Sequence, residues 1–526
     1  MTARLLIAES VRAPEGVVGE AVLVDGNRIA AVGPVERLRT GDLPETRYPG
    51  ATIVAGLRDA HLHPVGYTAA LQQPSLKEAA DFAEVGNIIA AAAHAQAPGT
   101  ALTALRLDDE SLAEGRLPDR HLLDAMVPER PVLLMRYCGH IAVANTAALE
   151  LAGIGRDTAD PAGGVIDRDE YGHPTGVLRE TALEAVTAAV GPLAPAITPD
   201  DVVGALTALA STGITGVGAM AATDSGLWGG AASELDLLLE AGARSSITLD
   251  VFVIARTAAS LAEAAERIGG AGPKVRFTGV KIFSDGSLGG HTAAMHQPFS
   301  DEPGELGTNR LDPAWAEDLA KASLRLGGMV AIHAIGDRAN TGVLDLMERL
   351  IRQGADPAML RIEHASVLTC SDIERFGRLG ITASVQPAFI ASETDWLEKR
   401  VGPERILRTY AFRSLADAGA PLAGGSDSPV EPPHPLLGIA AARDRLGLVP
   451  GESLNAAEAL SLFTTGAARA VGGSAGIEPG KPATFTVLDQ DPVDVAPDAV
   501  RGTHVLAIWV EGEEVEFPAD AIAWQA

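Results

Sequence analysis

From residue 215 to residue 425 the chain alternates short apolar runs with longer helical stretches, and no other feature restricts its fold so strongly. The runs are Thr215–Met220, Ile247–Ile254, Thr278–Phe283, Val330–His333, Arg361–Ala365, Thr382–Gln386 and Pro421–Gly425, and Thr52-Ile53-Val54 upstream makes eight. Between them lie Ala-, Leu-, Glu- and Arg-rich stretches such as Pro313–Leu326, Thr341–Gln353 and Ser371–Leu379. Strands alternating with helices across short loops specify parallel βαβ units, and eight such units close into a (β/α)8 barrel. A doubly wound sheet is the alternative, but no GxGxxG follows a first strand. Gly289-Gly290 and Gly472-Gly473 fit turns better than phosphate cradles.

The gap between the first two strands, about 150 residues, is too long for a structureless loop. It contains a helical stretch, Leu76–Ala95, the apolar run Val132–Met135 and turns around Pro161–Gly176. An inserted subdomain is expected here, seated over the barrel mouth because it follows the C-terminal end of the first strand. Both ends of the chain carry β-like runs broken by turn residues. Ala21–Val24, Asp25-Gly26-Asn27 and Arg28–Val32 read as a hairpin, and Ala483–Leu488 and Val505–Val510 repeat the pattern. The expected organisation is an α/β protein: a distorted barrel over 53–435, with helix and capping insertion at 66–198, then a helical return at 436–470. A β-sandwich-like domain would be assembled from 1–52 and 471–526.

Acidic residues (69) outnumber Lys and Arg (41), for a net charge of −28, which disfavours nucleic acid and anionic membranes as partners. Two cysteines, Cys138 and Cys370, exclude a disulfide framework or a CxxC zinc site. The opening residues carry an apolar run too short for a signal sequence, and no apolar stretch is long enough to span a membrane. A cytoplasmic protein is expected.

Chemistry-bearing residues fall at strand ends. His61 and His63, in Asp59-Ala60-His61-Leu62-His63-Pro64, point the same way on an extended strand, so both imidazoles can reach one metal. Lys281 sits in the apolar Gly279–Phe283, where an ammonium must be paired or chemically modified. His333, His364 and Asp427 end the fifth, sixth and eighth strands. Each alone reads as structural. Together, on strands that converge at one mouth, they form a set with divalent-metal ligand character. His94, His121, His173, His296, His434 and His504 read as structural.

This order of residues resembles the amidohydrolase superfamily of metal-dependent hydrolases. The phrases His333-Ala334-Ile335-Gly336-Asp337, Arg361-Ile362-Glu363-His364-Ala365 and Gly425-Ser426-Asp427-Ser428-Pro429-Val430 look like its long-chain branch, which includes N-substituted formamide deformylase-like enzymes. The late segments Asn455–Leu460, Thr464–Arg469 and Gly476–Ala483 fit as well. The resemblance implies two divalent ions, usually zinc. His61, His63 and Asp427 would hold one and His333 and His364 the other, bridged by Lys281 as a carbamate. An unmodified Lys281 amine beside a single metal is the alternative. It further implies hydrolysis of a non-peptide C–N bond in a small molecule, by water activated between the ions, with Asp427 as general acid and base.

His140 is the candidate for polarising the substrate carbonyl, against a purely structural role, and Asn145, Asp285 and His291 are candidate substrate contacts. Asp285 could equally order its loop, and His291 could cap a turn. Cys138 stands where the relatives usually carry Asp. A homodimer is the assembly the resemblance suggests. Deamination or ester cleavage on the same metals, or a catalytically silent binding protein, are the competing readings.

Overall fold

The computed structural model describes residues 3–517, apart from 98, 129, 138, 162, 192–195, 225, 227 and 229–231. Eight parallel strands pair in sequence order: β1 (Leu57–Leu62), β2 (Ile214–Ala222), β3 (Thr248–Ile254), β4 (Val275–Phe283), β5 (Met329–Ala334), β6 (Leu360–His364), β7 (Thr382–Val385) and β8 (Leu422–Gly424). Their residues are almost all buried, as expected of strands covered on both faces. Beyond β8 the Asp427 amide donates to the His61 carbonyl at 2.8 Å, and the His63 amide donates to the Ser428 carbonyl at 2.9 Å. This seam closes the barrel through the segment after β8. Met220, Phe252, Met329 and Ala331 form one apolar cluster, and the Arg361 guanidinium lies 4.7 Å from the Phe252 ring centroid. β3 and β6 are not neighbours in the sheet, so that contact crosses the barrel interior.

The first barrel strand differs from expectation. Thr52-Ile53-Val54 lies in a strand, Glu45–Ala55, that pairs with Ser10–Arg12 and with Thr486–Leu488 in the terminal sheet. Apolarity alone does not tell a strand of one sheet from that of the next. Gly56 separates the two: a Cβ there would lie 2.5 Å from Thr215 Oγ1. The barrel strand proper is β1, which carries His61 itself. Seven strands from both termini form the terminal sheet, whose edge strand Arg28–Gly33 turns back so that the Ile29 amide donates to the Lys481 carbonyl at 2.9 Å. Leu6, Val22, Ile53, Phe485 and Trp509 are among the residues packed inside the resulting curl.

The segment between β1 and β2 folds around its own five-stranded sheet, in the order Leu102–Leu107, Val132–Arg136, Ile141–Ala144, Pro174–Glu180, Gly164–Arg168. Its first long helix runs Phe82–Ala95, starting later than the apolar pattern suggests because Asp81 caps it by accepting from the Glu84 amide. Charged links tie the insertion to the barrel loops, among them Glu180 to Arg310 at 2.9 Å and Glu110 to Arg400 at 2.7 Å. Among the described residues no helix is long and apolar enough to cross a membrane.

Candidate functional site

The strand register brings the candidate ligands to one rim. Lys281 and Phe283 lie two apart on β4, and Phe283 pairs with His333 on β5, which pairs with Glu363 on β6. With a period of two, Lys281, His333, Arg361 and Glu363 all face inward, as does His61 on β1. His364 breaks this pattern, because alternation would aim it away from the interior. Its backbone is left-handed, φ +72°, and this turns the imidazole back into the mouth. Asp427, φ +56°, is aimed in the same way. Such backbone is costly for non-glycine residues and is concentrated at functional sites.

Donor atoms of His61, His364 and Asp427 all lie within 4.8 Å of one another. Asp427 Oδ1 is 3.1 Å from His61 Nε2 and 3.4 Å from His63 Nε2. Lys281 Nζ sits 3.1 Å from His61 Nε2. The His333 ring lies 4.5 Å from that of His364, edge to face. All six expected ligands are therefore drawn into one continuous cluster.

Neighbouring groups set which nitrogen each imidazole offers. His61 Nδ1 lies 2.7 Å from Glu363, whose carboxyl stays well below its usual range although burial opposes this, through the charge of Arg361 and the hydrogen bond of His61. An ionised carboxylate only accepts, so Nδ1 carries the proton and Nε2 presents a lone pair. His364 Nδ1 donates to Gln386 Oε1 at 2.8 Å, again leaving Nε2. His333 is reversed: its Nε2 donates to the Gly286 carbonyl at 3.0 Å, leaving Nδ1. Burial pushes His63, His333 and His364 below the ordinary imidazole range, so they are neutral ligands. Burial opposes ionisation of Asp427, yet the imidazoles of His61 and His63 beside it hold it well below the usual range. Neutral imidazoles with fixed tautomers around a carboxylate fit a divalent cation. Burial lowers Lys281 to about 8, against the raising influence of Glu363 and Asp427.

Supporting groups went unassigned in the sequence. Glu363 is held by Arg361 through two nitrogens, one at 2.8 Å, and Arg361 also donates to the Ala60 carbonyl at 2.9 Å. Asp59 accepts from the His61 amide at 2.9 Å and from the Ser426 amide at 3.1 Å, joining β1 to the loop that carries Asp427. The signal for these was charge at alternate positions of buried strands: Asp59 before His61, and Arg361 before Glu363.

A pocket opens on this cluster, lined by His333 and Asp427, by Tyr137 and His140 from the insertion, and by Phe389, Glu393 and Tyr410. The His140 ring is 5.5 Å from that of His333, and its Nδ1 lies 3.0 Å from Glu180. Glu180 falls to about 2, since His140 and Arg310 outweigh its burial. Three expected substrate contacts are placed elsewhere. Asn145 caps the helix Thr146–Leu151, with Oδ1 accepting from the Val132 and Ala148 amides and Nδ2 donating to the Arg130 carbonyl, so its side chain is fully committed. The Asp285 carboxylate accepts from the amides of Ala294, Ile335 and Gly336 and orders the loops behind His333. His291 pairs with Asp301 at 3.1 Å and meets Phe299 edge-on, away from the pocket lining. Cys138 lies outside the described residues.

Comparison with known proteins agrees with this geometry. Residues 49–516 match the amidohydrolase family Amidohydro_3. The chain is 32% identical to the putative amidohydrolase YtcJ of Bacillus subtilis, over 95% of this chain and 96% of that protein. It is 31% identical to the N-substituted formamide deformylase of Arthrobacter pascens, over 94% of each chain. An uncharacterized metal-dependent hydrolase from Pyrococcus horikoshii superposes with a TM-score of 0.73 at 27% identity, covering 94% of this chain and 99% of that one. From its match over nearly the whole length, and with imidazoles and a carboxylate gathered at its barrel rim, the chain belongs to the amidohydrolase family and is a metal-dependent hydrolase of that family.

Proposed function

We propose that the chain hydrolyses a non-peptide C–N bond of a small molecule, an amide, formamide or cyclic amide. The observation that carries this reading is the convergence of His61, His364 and Asp427 within 4.8 Å at the edge of a pocket whose wall holds His140. The name of the Arthrobacter relative, an N-substituted formamide deformylase, supports it.

In this reading His61, His63, His333, His364 and Asp427 would hold two divalent ions, zinc by the chemistry of the donors. Lys281 would serve as a further ligand in the form of a carbamate: its neutral amine adds to CO2 and releases one proton, leaving an anionic carboxylate. Burial among Glu363, Asp427 and His61 supports this, because an ammonium has no lone pair for a metal. The ions, when bound, supply Lewis acidity that lowers the pKa of water and polarises the carbonyl. Asp427 takes the proton of the attacking water and delivers it to the departing nitrogen, which otherwise leaves badly. His140, oriented by its hydrogen bond to Glu180, polarises the carbonyl oxygen as negative charge develops on it. Pocket walls supplied by the insertion exclude water and orient the substrate.

The test is metal analysis of the purified protein together with a panel of N-substituted formamides, linear amides, cyclic amides and matched esters. Stoichiometric metal with amide turnover is expected. Ester-only turnover, or a protein without metal, overturns the reading.

A further inference from the structure

We propose that Glu393, with Phe389 and Tyr410, forms a subsite that recognises a basic group on the substrate, an ammonium carried away from the scissile bond. This rests on the hydrolase reading of the pocket and narrows its substrate class. The Phe389 ring stacks on the metal-ligand candidate His364 with centroids 6.1 Å apart. Tyr410 meets Phe389 edge-on at 6.5 Å, and its hydroxyl donates to Glu393 Oε2. An aromatic wall thus starts at the reacting end of the pocket and finishes on a carboxyl, and all three residues line the same cavity.

That carboxyl is 7% exposed, and among the described residues it takes part in no ion pair. Two nearby arginines act on Glu393 by charge without forming an ion pair with it: Arg400 binds Asp301, Glu110 and the carbonyls of Leu288 and Gly289, and Arg136 binds Asp109. Glu431, also buried, acts on Glu393 with the same sign of charge. Burial favours the protonated form of this carboxyl, and a cation entering the pocket would supply the counter-charge for its ionised form. Phe389 and Tyr410 present π faces that favour the same ligand. A net charge of −28 draws cations toward the molecule.

The probes are benzylammonium and benzyl alcohol, which share a ring and differ in charge. Titration calorimetry on the full-length, metal-loaded protein is expected to show the ammonium binding about tenfold or more tightly than the alcohol. Glu393→Gln is expected to abolish that preference while alcohol binding stays unaltered. Equal binding of the two probes by wild type, or a preference that survives in E393Q, overturns the proposal. If E393Q does not fold, a wild-type crystal soaked with benzylammonium decides. The nitrogen within hydrogen-bond distance of Glu393 supports the subsite, and a nitrogen placed elsewhere removes it. Binding is read without turnover, so a failure of the amide panel bears on the hydrolase reading, while charge selectivity is judged separately.

Discussion

The carboxylate of Glu363 accepts a hydrogen bond from Nδ1 of His61 at 2.7 Å, and both side chains are wholly buried. One proton position therefore decides which nitrogen of His61 faces the ligand cluster. Arg361 makes this affordable by neutralising Glu363 from below. The three residues form a relay from the barrel interior to its rim.

Glu363→Gln keeps the shape but removes the charge that fixes the tautomer and balances Arg361. Metal affinity or activity is expected to fall about 10- to 100-fold, as for other carboxylate partners of ligating histidines. The uncompensated Arg361 is expected to cost on the order of 3–5 kcal/mol of stability. Metal content and thermal unfolding of the same preparation check both effects, and unchanged values for each would remove Glu363 from the site.

Asp427→Asn tests the proposed proton shuttle. Turnover is expected to drop by about 10²–10⁴-fold, the usual contribution of general acid–base catalysis, with the fold intact and metal partly retained. A kcat near that of wild type in the variant would take Asp427 out of the role.

Lys281 is expected to carry the added mass of one CO2 in native mass spectrometry and to lose it on acidification, because carbamates decompose when protonated. Lys281→Ala is expected to lose the added mass together with most activity. An unmodified mass in a metal-loaded, active enzyme would favour the free amine.

Asn145→Ala separates a cap from a substrate contact. Loss of the N-cap and of the buried hydrogen bonds is expected to cost about 1–3 kcal/mol of stability. In the surviving folded protein KM should be unchanged, since the side chain is committed to Val132, Ala148 and Arg130. A large rise in KM without loss of Tm would restore Asn145 to the substrate site.

Burial raises Glu393 to about 8, above its ordinary 4.5. The unfolded chain releases this proton near 4.5 while the folded chain keeps it to about 8, so this group erodes stability as pH rises across that window. Glu393→Gln, which cannot ionise, is expected to match wild type at the low-pH end and to be more stable by a few kcal/mol at the high-pH end. Denaturant midpoints at pH 5 and pH 8.5 test the sign, and equal differences at the two pH values would refute it.

The residues alone pointed to the barrel and to six candidate ligands near its strand ends, because periodicity and side-chain chemistry are local properties that survive reading one residue at a time. His61, Lys281, His333 and Asp427 could be placed at strand ends from apolar runs broken by a polar residue. Tertiary structure decided the rest. Thr52–Val54 looks like any buried strand, and only its pairing with Ser10–Arg12 and Thr486–Leu488 assigns it to the terminal sheet. The inward turn of His364 depends on a left-handed backbone that no histidine announces. Asn145 and Asp285 carry the chemistry of substrate contacts, yet backbone amides consume them, and those amides arrive from distant segments. Glu393 offered nothing in its own neighbourhood, since only the folded chain brings Phe389 and Tyr410 beside its buried carboxyl.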